Sequence, residues 1–168
     1  MVEKMLVKKT QTNFIKNTYT QKNYKIMVAT ANPATDKHVQ NYLRGLAEEV
    51  NGKYTDYSDD TVIVTIPLSD GRYQNVKGYI IPRGDGVMLE FMSKVCKLED
   101  YPEISLTELL ELNHGLCYSK ILLKDGYVEV GASTKYELCT YDQVRYMIFE
   151  VARVADELEN RFTGEDVY

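Results

Sequence analysis

From Val39 onward the apolar side chains Val39, Tyr42, Leu43, Leu46, Ala47 and Val50 recur at the three- and four-residue steps of a single helix face. Pro33, Thr35 and Asp36 mark where that helix starts. Asn51-Gly52 ends it, because glycine can take the left-handed conformation that closes a helix. The period then shortens to two. Val62, Val64, Ile66 and Leu68 alternate with Thr61, Thr65 and Pro67, as in a strand with one face in a core. Asp70-Gly71 begins a hairpin turn, and a second strand runs from about Tyr73 to Ile81. Pro82-Arg83-Gly84-Asp85-Gly86 leads into a third strand. There Val87, Leu89, Phe91 and Val95 share one face, and Met88, Glu90, Met92 and Lys94 share the other. Turn residues rather than helical spacers separate these strands, so they should pair as an antiparallel meander.

The helical period returns at Ser105-Leu106-Thr107-Glu108, a capping box opening a short helix that carries Leu109, Leu110 and Leu112 and stops at His114-Gly115. Strands at about Cys117 to Leu123 and Tyr127 to Ser133 flank Asp125-Gly126, the strongest hairpin signal in the chain. A second capping box, Thr140-Tyr141-Asp142-Gln143, starts the longest helix. Its apolar stripe is Val144, Met147, Ile148, Val151, Ala152, Ala155, Leu158 and Phe162. Glu157 and Glu159 oppose the dipole at its end, which Arg161 partly offsets. The expected fold is α+β, an antiparallel sheet packed against helices in the order α-β-β-β-α-β-β-α.

Composition narrows this picture to one domain. At 168 residues, 44% hydrophobic and 27% charged, the chain is long enough for one core without disulfides or a structural metal. Cys96, Cys117 and Cys139 lack CxxC spacing and a histidine pair, and are read as small buried hydrophobes of a protein in a reducing cytosol. No apolar run approaches the 18 residues of a membrane span, and the first residues lack the apolar stretch of a signal peptide, so a cytoplasmic location is expected.

Charge divides the chain. Residues 1–30 hold six Lys against Glu3, a basic arm, and residues 31–168 hold the excess of acid that brings the total to −5. An acidic body repels phosphate, so a nucleic-acid role is expected to be confined to the arm. The simplest state for the arm is a solvated tail resting on the acidic domain.

Candidate chemistry is sparse. Arg83-Gly84-Asp85 reads as a hairpin loop, and Gly164-Glu165-Asp166 as a short acidic tail. His38 and His114 are far apart, with His114 placed to cap a helix end. His114 and Cys117 lack the third group that would orient a nucleophilic pair. Asp59 with Asp60, and Glu48 with Glu49, would suit a divalent ion only if further ligands converged on them. No catalytic residue, cofactor or metal site is therefore expected, and the chain is read as non-enzymatic.

The run Leu106-Thr107-Glu108-Leu109-Leu110-Glu111-Leu112-Asn113, the hairpin after it and the final helix ending Val154-Ala155-Asp156-Glu157-Leu158 resemble the class I type III secretion chaperones and the related bacterial YbjN-like proteins. The likeness spans about residues 33 to 162. It implies a homodimer that binds another protein by holding an extended segment against apolar patches and sheet edges. On that reading Met88 and Met92, with Tyr79 and Ile81, form a partner-binding patch or dimer interface on the sheet face away from the helices, where thioethers suit an adaptable surface. The leading functional expectation is a homodimeric chaperone-like or regulatory adaptor capturing a polypeptide. The alternative is a domain sensing a small molecule enclosed by the sheet and the long helix.

Overall fold

The computed structural model describes residues 37–84 and 86–164. The basic arm, the helix start at Pro33, Thr35 and Asp36, the loop residue Asp85 and the acidic Glu165 and Asp166 lie outside those residues. Within them the chain runs α1 (Lys37–Glu49), β1 (Lys53–Asp56), β2 (Thr61–Pro67), β3 (Tyr73–Arg83), β4 (Gly86–Lys97), α2 (Leu106–Leu112), β5 (Ser119–Lys124), β6 (Tyr127–Lys135) and α3 (Tyr141–Thr163). The strands form one antiparallel sheet in the order β1-β2-β3-β4-β6-β5, the α+β architecture expected.

One strand was not foreseen. β1 is four residues long and mostly exposed, so Lys53, Tyr54, Thr55 and Asp56 carry no alternation of buried and polar positions. Only pairing with Ile63, Val64 and their neighbours in β2 makes it a strand. The end of α1 also differs from expectation. Asn51, not Gly52, takes the left-handed conformation, at φ 56°. Gly52 is needed for room, since a Cβ there would lie 2.2 Å from the Thr65 carbonyl oxygen. The hairpins follow their chemistry: Asp70 and Gly71, like Asp125 and Gly126, have the paired positive φ values that tight turns between twisted strands require.

The described helices lie on one side of the sheet. Val62, Val64 and Ile66 of β2, Val76 and Ile80 of β3, Leu89, Phe91 and Val95 of β4, and Val128, Val130 and Ala132 of β6 are buried against the stripes of α1 and α3. Ser105 and Thr140 accept from the N–H of Glu108 and Gln143 as caps. The reciprocal halves of both boxes are absent, because the Glu108 carboxylate pairs with Arg161 and the Gln143 amide donates to Thr134. Asn113 bridges α2 to β5: its side-chain amide donates to the carbonyls of Leu109 and Ile121, and its oxygen accepts from the Ile121 N–H at 2.7 Å. That bond is a physical reason for an asparagine to end the Leu-rich helix. Glu159 is 1% exposed and belongs to the interior, not to a solvated helix end.

The lead-in to β5 is held by one carboxylate. Glu150 of α3 accepts from the backbone N–H groups of Cys117, Tyr118 and Ser119 at 2.9, 2.6 and 2.7 Å. Burial pushes its pKa up, but the three N–H donors outweigh that and hold it below the ordinary 4.5. A depressed folded-state value means the contribution is complete above pH 4.5 and is lost as pH falls through the lower value. Glu150→Gln is expected to cost about 1 kcal/mol at neutral pH, discounted for partial solvent exposure. In urea titrations the gap from wild type should close as the pH is lowered below 4.5; a gap independent of pH would show that charge plays no part.

Candidate functional site

The sheet face opposite the helices has no cover among the described residues, and cross-strand register fixes what stands on it. One row runs Thr55, Ile63, Lys77, Met92, Gly131, Lys120 across all six strands. Beside it Tyr79 pairs with Glu90, and Ile81 pairs with Met88. The four residues singled out from alternation alone, Tyr79, Ile81, Met88 and Met92, therefore share this face and adjoin one another. All four are half-buried.

Two grooves cross the face, of about 470 and 430 Å³. The first is lined by Ile81, Leu122 and Lys120 among others, the second by Ile63, Lys53 and Lys77, and both are bordered by Tyr79, Met92 and Lys124. Gly131 sets the depth at the centre: a Cβ there would meet the Met92 sulfur at 2.3 Å, so the thioether lies directly over the glycine backbone. The floor is thus aliphatic and thioether at its centre, with the Tyr79 phenol, and becomes polar toward β1 and β2 at Thr55, Thr65 and Asn75. Partial burial, helped by the nearby Glu129 carboxylate, raises the pKa of Tyr79 and keeps it a neutral hydrogen-bond donor.

The rim is basic. Lys53, Lys77, Arg83, Lys94, Lys97, Lys120, Lys124 and Lys135 all stand on this face, against Glu90 and Glu129, with Lys97 paired to Glu99. The other residues of 31–168 hold six bases and 22 acidic groups. The net acidity of residues 31–168 thus includes a basic face, because net charge averages over faces that the sheet keeps apart. Ion pairing sharpens the contrast. Arg44, Arg72, Arg145, Arg153 and Arg161 are each paired with a carboxylate away from this face. Arg83 pairs with Glu90 at 2.8 Å. Lys53, Lys77, Lys120 and Lys124 have no carboxylate within 4.0 Å among the described residues, and Lys94 stands 3.6 Å from the centre of the Tyr127 ring.

Alternation already places Lys94 on this face beside Met88 and Met92; the other lysines were missed because each is an ordinary polar residue at an ordinary strand position. They would have been found by asking which face of each strand every base occupies.

The remaining candidates separate. Cys96 and Cys139 are buried, with thiols pushed up to about 11 by that burial, whereas Cys117 is exposed, contrary to expectation, because it precedes β5 instead of lying in it. His114 makes no hydrogen bond among the described residues, so the expected cap is supplied by Asn113 instead. Asp60 is occupied with the hydroxyls of Ser58 and Thr61 in a turn. No group of three or more metal-ligating side chains converges among the described residues, and no helix there is long and apolar enough to cross a membrane.

No protein-family model matches the sequence, and no curated protein matches it significantly. Among solved structures, this chain is similar to the crystal structure of YbjN from E. coli, described as a candidate transcription regulator. The identity is 17% and the TM-score 0.43, over 73% of this chain and 88% of that one.

Proposed function

We propose that this protein is a non-enzymatic binding module whose open sheet face holds an extended segment of a partner protein, in a chaperone-like or regulatory role. The observation that carries the reading is the pair of grooves meeting at Tyr79 and Met92, with a largely aliphatic centre, on the sheet face that no described helix covers. A flat aliphatic and thioether surface adapts to varied side chains, and extended polypeptide matches the sheet in shape. A second reading, a small-molecule sensor, is favoured by the groove volumes, which fall in the range of ligand sites. It places the ligand on the open face and not between the sheet and the long helix, where the core is filled.

A homodimer belongs to the proposal, but through a different surface. Two copies meeting face to face would oppose one lysine-rich rim to another, and an isologous contact cannot avoid that repulsion. The stacked Tyr118 and Tyr146 rings, with Leu68 and Phe149 beside them, offer an apolar alternative on the helical side.

The test uses wild type and Met88→Asp/Met92→Asp as parallel baits in host lysate, with light scattering on both. A near-stoichiometric partner kept by wild type and lost by the variant, whose melting stays cooperative, is the expected result. Retention of the same partner by both baits would move the site elsewhere. A scattering mass of one chain at micromolar concentration would remove the dimer from the reading.

A further inference from the structure

The segregation of charge on this domain names the chemistry of its partner. Seven lysines stand on the open face, five of them without a carboxylate within 4.0 Å among the described residues, while the other residues of 31–168 are strongly acidic. Lysine clusters left unpaired on a protein with abundant carboxylates form a local positive potential bounded by negative walls, which attracts anions to that face and repels cations from it. The floor between the lysines is Ile63, Ile81, Met92 and Leu122, which rewards apolar side chains.

We propose that the open face binds an acidic, extended polypeptide segment in which carboxylate side chains alternate with apolar ones. This rests on the reading of the face as a polypeptide site. Six strands about 4.8 Å apart make a face about 24 Å wide, which an extended chain crosses in roughly seven residues at about 3.3 Å each. Apolar side chains at alternate positions seat between the lysines, and the carboxylates at the intervening positions, which leave the backbone on its far side, are met where the long stems of Lys53, Lys77, Lys120 and Lys124 carry their ammonium groups up past the peptide backbone. Single-stranded nucleic acid fits less well. It needs open aromatic faces for its bases, whereas the grooves hold only Tyr79, the exposed Tyr73 stands outside them at the start of β3, and the Tyr127 ring is covered by Lys94. A longer polyanion would also run off the face onto acidic surface.

Fluorescence anisotropy on the full chain tests this with four labelled probes. Three are peptides of about eight residues alternating Leu with Glu, Gln or Lys, and the fourth is an oligothymidylate of similar extended length. The Glu peptide is expected to bind at least about tenfold more tightly than the Gln peptide, and the Lys peptide not at all. Lys77→Glu/Lys124→Glu should weaken the Glu peptide by about tenfold or more, with Lys77→Gln/Lys124→Gln intermediate. Raising salt from about 0.1 M to about 1 M shortens the screening length from about 10 Å to about 3 Å and should erase the preference. Equal binding of the Glu and Gln peptides would overturn the acidic partner and leave the polypeptide site standing. Undiminished binding of the Glu peptide to the Lys77→Glu/Lys124→Glu variant would overturn the proposal by placing the contact off this face, the basic arm included. Tighter binding of the oligothymidylate would overturn it in favour of nucleic acid, and binding of none of the four would remove both readings together.

Discussion

Phe91→Ala is expected to cost about 3–5 kcal/mol, whereas Met92→Ala, one residue further along β4, should cost about 1 kcal/mol. Phe91 is fully buried on the helix side of the sheet, opposite Gly78, and a Cβ at Gly78 would already lie 3.3 Å from its ring. Truncating the ring leaves a cavity walled by Gly78 and Val62, and neither can collapse into it without moving the strand. Met92 points to the open face and is half-buried there. Urea unfolding of the two variants measures the difference directly. Near-equal losses would mean that the second face is also core, and the binding surface would disappear with it.

Asp156→Ala is expected to cost about 2–4 kcal/mol, somewhat below the usual cost of breaking a fully buried pair because Arg72 keeps some contact with water. The Arg72 guanidinium donates twice to Asp156, Nε to Oδ1 at 2.9 Å and Nη2 to Oδ2 at 2.8 Å. The Asp156 side chain is only 10% exposed. The bond ties the turn before β3 to α3, across the helix side of the sheet. Removing the carboxylate leaves a cation facing a largely desolvated pocket with its two strongest acceptors gone. Glu157→Ala supplies the control: Glu157 meets Arg153 on the solvated face of the same helix, where an i,i+4 pair contributes about 0.5 kcal/mol or less. Equal shifts in the two unfolding midpoints would show that the Arg72 pair does not stabilise the fold.

Asp156 and Glu157 also show where reading from sequence stops. Both were visible only as the end of a helix matching a family pattern, and nothing local distinguishes the buried one from the exposed one. Their difference depends on Arg72, distant in sequence, and that pairing exists only once α3 lies across β3. The same holds for Glu150, whose three backbone donors come from a segment that α2 and the following turn deliver to it.

Periodicity determined that α1, α3 and the long strands exist and which face of β4 carries Met88 and Met92, and the turn residues between the strands determined that they pair antiparallel. A side chain's direction repeats every two residues in a strand and every 3.6 in a helix, so burial writes itself into the sequence locally. β1 left no such mark, since an exposed edge strand is made by its neighbour's hydrogen bonds. The basic face left none either. Lys53, Lys77, Lys94, Lys120 and Lys124 come from four strands, separated in sequence by up to 71 positions and mixed with carboxylates that point the other way. Charge adds along a chain without regard to direction, but a sheet sorts it by face, and only the register of six strands decides which charges meet a partner together.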